Sequence, residues 1–176
     1  MLNRNFKTVM LGWFMSSQAT GTGTPMLERQ TIYNVGGGSG TYPINTSDAL
    51  QTNAIINALN TLSTSNTIAR SSLNRTFMAV GTGTTEATEE DYTLENENTD
   101  ITCEAITQTY TQSYKRQITA TFNNPTAQDI TLKEVGLFYE TYANSNYYIN
   151  TIMLARENIN VTIPAGESKA ITMEIG

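Results

Sequence analysis

Seven of the chain's 16 acidic side chains fall between residues 86 and 100: Glu86, Glu89, Glu90, Asp91, Glu95, Glu97 and Asp100. Paired carboxylates can hydrolyse glycosides, one as acid and the other as base or nucleophile. Oxygen side chains at alternate positions, as in "ENENTD" (95–100), are what a calcium loop presents. This stretch lacks the central Gly and terminal bidentate Glu of an EF-hand, and nothing sets one pair of acids apart. The expectation is a solvated acidic loop. Just upstream, Gly81 and Gly83 in "VGTGTT" (80–85) raise the question of a phosphate cradle. A phosphate loop needs G-x-x-x-x-G-K-[ST], and a dinucleotide fingerprint needs G-x-G-x-x-G opening a helix. Here Glu86 stands where the pattern would continue, and the acids after it would repel a phosphate. The glycines read as a strand end whose permissive φ and ψ let the chain leave its sheet.

Other groups offer less. The chain has no His, which removes the commonest general base, the commonest zinc ligand and any Ser-His or Cys-His pair. Cys103 is the one cysteine, so no intrachain disulfide forms and a reducing compartment fits. Tyr139, Tyr142, Tyr147 and Tyr148 cluster near the loop "NSNYYIN" (144–150), where aromatic rings either stack on a sugar or protein partner or pack at a sheet rim. Tyr147 and Tyr148 are the candidates for an exposed binding loop. No catalytic, cofactor or metal residue is assigned, and the chain is expected not to be an enzyme.

The elements that would carry these residues are mostly strands. The chain has 176 residues, of which 39% are apolar and only 15% charged, and the difference is made up by 30 Thr and 18 Asn. Thr suits strands and Asn suits turns. A net charge of −6 argues against nucleic acid as a partner. No run of 18 apolar residues marks a membrane span, and "VMLGWFM" (9–15) lacks the cleavage pattern of a signal peptide. Strands are expected at 76–80, 103–112, 130–139 and 147–155, and in the alternating runs "QITATFNN", "NVTIPAGES" and "AITMEI", with a turn at Pro164-Ala165-Gly166 after the second. Ile118, Ala120 and Phe122 should face a core, with Gln117, Thr119 and Thr121 turned away. Short strands at this spacing imply an antiparallel β-sandwich over residues 76–176.

Residues 1–75 are expected to differ. Phe6, Val9, Met10, Trp13 and Phe14 recur at helical spacing, and residues 46–65 begin with the capping triplet Thr46-Ser47-Asp48 and read as a second helix. Between them, residues 17–45 form a Gly/Thr-rich arm containing "VGGGSG" (35–40). Phe6, Val9, Trp13, Phe14, Val35, Gly36, Gly37 and Gly38 are the candidate assembly contacts.

Four segments, "FMAVGTGTTEATEEDYTLEN" (77–96), "ITLKEVGLFYE" (130–140), "IMLAREN" (152–158) and "TIPAGESKAITMEI" (162–175), stand in order along the C-terminal part. Together they resemble bacteriophage virion proteins of the tail-collar and tail-fibre-attachment type. The resemblance implies a mainly β, jelly-roll-like sandwich in a structural subunit at the neck, collar or tail of a virion assembled in the bacterial cytoplasm. Its partners would be further copies of itself and neighbouring virion proteins, portal, tail or capsid, and a fibre could be anchored there. Capsid decoration or a head-fibre role is the alternative on the same fold. A carbohydrate-binding module, with calcium in the acidic loop, is the alternative of another class. The resemblance carries over no catalytic residues. Gly136, inside "KEVGLF", marks a bulge or a close backbone approach.

Overall fold

The computed structural model describes residues 30–33, 39–42, 62–64, 75–110, 115–140 and 151–175. Every regular element among them is a strand: β1 (Gln30–Tyr33), β2 (Ser39–Tyr42), β3 (Arg75–Gly81), β4 (Thr102–Tyr110), β5 (Arg116–Asn123), β6 (Ile130–Glu140), β7 (Thr151–Ile163) and β8 (Ser168–Ile175). Two three-stranded sheets result, in the orders β3-β6-β7 and β4-β5-β8, with all pairings antiparallel. The hairpins β4-β5 and β6-β7 each stay within one sheet. The connections 82–101, 124–129 and 164–167 cross between the sheets.

Alternation explains which faces meet. Ile118, Ala120 and Phe122 of β5 and Ile171, Met173 and Ile175 of β8 are buried, as their period-2 spacing predicts. They join Met78, Val80, Leu132, Leu137, Tyr139, Ile152 and Leu154 of the other sheet in one core. The protein is therefore mainly β, with two antiparallel sheets sharing a hydrophobic interior. The turn expected at Pro164-Ala165-Gly166 is present, and Gly166 takes φ 70°, which a side chain would resist.

The sheet β3-β6-β7 differs from its partner in being buried on its second face as well. There Phe77 and Phe138 stack with centroids 5.3 Å apart, beside Ala79, Met153 and Leu94. Above them Arg75 and Glu140, directly opposite in the β3-β6 register, form a buried ion pair at 2.5 Å. The Arg75 guanidinium also lies 5.7 Å from the Phe77 ring centre.

Several expectations need correction. The strands expected at 147–155 and in "NVTIPAGES" are joined among the described residues, where Thr151–Ile163 is one strand of 13 residues. Register shifts between Leu132 and Glu134 and between Leu137 and Phe138 break its alternation, so the sequence pattern reads as two pieces. The Gly/Thr-rich arm contains an antiparallel ribbon, Gln30 opposite Tyr42 through Tyr33 opposite Ser39. The expected helix over 46–65 fails at Leu62, which makes a parallel bridge to Thr76, while Ser63 N–H donates to the Thr76 carbonyl at 2.9 Å. Tyr139 is buried in the core. The remainder of that helix, the N-terminal helix with Phe6, Val9, Trp13 and Phe14, residues Val35 and Gly36 to Gly38, and Tyr142, Tyr147 and Tyr148 lie outside the described residues.

Candidate functional site: an acidic loop clamped onto the sheet

Glu134 sits mid-strand in β6 and is fully buried. A buried carboxylate is costly unless each oxygen has donors. Here Oε1 accepts from the backbone N–H groups of Gly83 at 3.1 Å and Asn96 at 2.8 Å. Oε2 accepts from the Glu95 N–H at 3.0 Å and from Arg156 Nε at 2.9 Å. Four donors from three places in the chain thus converge on one side chain.

Arg156 of β7 extends the clamp. Its Nη1 donates to Asp91 Oδ2 at 2.8 Å, its Nη2 donates to the Thr85 carbonyl at 3.1 Å, and Glu95 Oε2 lies 3.9 Å from Nη2. Two residues on, Asn158 donates from Nδ2 to the same Thr85 carbonyl at 2.9 Å and accepts from the Ala87 N–H at 2.6 Å. Arginine suits this work because its rigid fork offers several directed donors. The acidic loop is therefore a folded structure laid across β6 and β7, and the solvation expected from sequence holds for six of its seven acids, Asp91 being half-buried against Arg156. Glu86, Glu89 and Glu90 remain exposed, whereas Leu94 is buried against the sheet.

The electrostatics follow from these bonds. Burial pushes the Asp91 carboxyl up, but hydrogen bonds from the Thr88 N–H and Arg156 outweigh it and hold the group below its ordinary range. Hydrogen bonds from the Thr85 hydroxyl and N–H lower Glu95. Arg156 is raised: burial opposes its charge, and the bonds to Asp91 and Glu134 overcome that opposition.

The glycines are explained by space. A Cβ on Gly83 would stand 2.5 Å from Glu134 Oε1 and 2.5 Å from the Glu95 Cβ. One on Gly81 would stand 2.5 Å from the Asn96 carbonyl oxygen. Neither glycine has a positive φ; among the described glycines only Gly166 does. The conformational reason inferred from sequence for Gly81 and Gly83 is thus replaced by close approach of the returning loop. Gly136 is also a matter of space, chiefly within its own strand: its Cβ would meet Phe138 Cε2 at 2.6 Å and, from the loop, Leu94 Cδ2 at 3.1 Å. At the loop's far end the Thr82 N–H donates to the Asn96 carbonyl and the Asn98 N–H to the Val80 carbonyl, both at 2.9 Å.

A second polar node ties the sheets together. Asn124, fully buried where β5 leaves its sheet, donates from Nδ2 to the carbonyls of Gln128 at 2.7 Å and Ile163 at 2.9 Å. Its Oδ1 accepts from the Thr126 N–H at 3.1 Å and hydroxyl at 2.7 Å. Its backbone pairs with Glu167 and Gly166, each at 2.9 Å. Two of the three crossings between sheets are fastened by this one residue.

Glu134, Arg156, Asn158 and Asn124 carry the site, and none was singled out from sequence. The available signal was a charged or amide residue inside a strand of otherwise buried type, as in "KEVGLF" and "LAREN". As chemistry the site is a clamp: each Glu134 oxygen already accepts two hydrogen bonds and has no exposed surface from which to serve a substrate. Among the described residues no group of three or more Cys, Asp or Glu is placed to hold a metal ion, and no helix is long and apolar enough to cross a membrane. Compared with family models, curated proteins and solved structures, the chain matches none.

Proposed function

We propose that this chain is a structural subunit of a tailed-phage virion, at the neck, collar or tail, that acts by assembling with copies of itself and with neighbouring virion proteins. It has no catalytic role, and its two sheets form a jelly-roll-like sandwich. The observation supporting this reading is convergence. The segments that carry the resemblance to tail-collar proteins, 77–96, 130–140 and 152–158, meet at the Glu134–Arg156 clamp. The fourth, 162–175, begins at the Asn124 corner. A set of motifs that builds a rigid scaffold, with its charges consumed in holding a loop, fits a protein whose work is to present surfaces.

Quantitative mass spectrometry of purified particles tests it. The chain should be present at a copy number that matches the symmetry of the portal. A copy number following the major capsid protein would move it to the shell as a decoration protein. Absence from particles would overturn the structural reading.

A further inference from the structure

We draw no further inference here: the strongest candidate, the second buried face of the β3-β6-β7 sheet, where Phe77, Phe138 and Met153 lie on the same face as the Arg75–Glu140 ion pair, carries nothing because nothing in the structure shows what covers that face beyond Leu94.

Discussion

Glu134 and Arg156 are diagonal neighbours across β6 and β7: Glu134 faces Asn158 in the register, Gly136 faces Arg156, and the two charges meet at 2.9 Å. This pair sits under a loop whose backbone supplies three of the four donors to Glu134. The ion pair and the loop are therefore one unit, and disturbing either should loosen both.

Truncating one partner should show this most strongly. Arg156→Met leaves Glu134 buried without its cation, and should cost about 3–5 kcal/mol in urea unfolding. Glu134→Gln keeps the shape but loses the charge and one acceptor, and should cost about 1–3 kcal/mol. The double variant should be less destabilised than the sum of the two. Additive losses would show that the two side chains act independently.

Two glycines should fail for different reasons. Gly136→Ala inserts a methyl against Phe138 and Leu94, and should destabilise by about 1–3 kcal/mol through overpacking. Gly166 has open space around its missing Cβ but a φ of 70°. Gly166→Ala should cost about 1 kcal/mol, and Gly166→Asn should recover most of it because Asn tolerates the left-handed region. Thermal melts of the three variants decide this. Equal behaviour of Ala and Asn at 166 would refute the conformational cause.

Asn124 should resist replacement even by its closest analogue. Asn124→Asp puts an acceptor where Nδ2 now donates to the carbonyls of Gln128 and Ile163, and should cost about 2–4 kcal/mol at neutral pH. The loss should shrink in acid, where the protonated carboxyl can donate one bond. Hydrogen exchange at Gly166 and Glu167 should accelerate with it.

Acid should release the loop before it unfolds the sheets. Asp91 and Glu95 have carboxyls held below their ordinary values when folded. The folded state then binds fewer protons than the unfolded one. Their contribution is fully present above the ordinary carboxylate range of about 4 and is lost as pH falls through the lowered values. Melting temperature against pH should fall on the acid side. Asp91→Asn with Glu95→Gln should flatten that fall; an unchanged slope would show that the loop contacts do not titrate with it.

Legibility in the sequence tracked how local the cause was. Alternation in 117–122 and 171–175 identified both strands and the face each buries, because period-2 spacing against one core is a local property. It failed at β7, where bulges and a second buried face erase the alternation between Thr151 and Arg156. It failed at Leu62, whose helical spacing predicts one thing while an open β3 edge accepts another. The arm's ribbon was hidden by the glycines around it: Thr31, Ile32, Tyr33, Thr41 and Tyr42 favour strands, but two four-residue pieces are too short to show alternation.

By itself, then, the sequence determined a β-rich chain, the facing of its alternating strands, the turn at Gly166 and the absence of any histidine chemistry. Tertiary structure alone decided what Glu134, Arg156 and Asn124 do. A charge inside a strand is a liability until donors arrive from elsewhere. For Glu134 those donors come from residues 83, 95 and 96, brought back by a loop whose path no local pattern encodes. The same long-range return explains why Gly81 and Gly83 must lack a side chain: the atoms that would collide with one belong to another part of the chain.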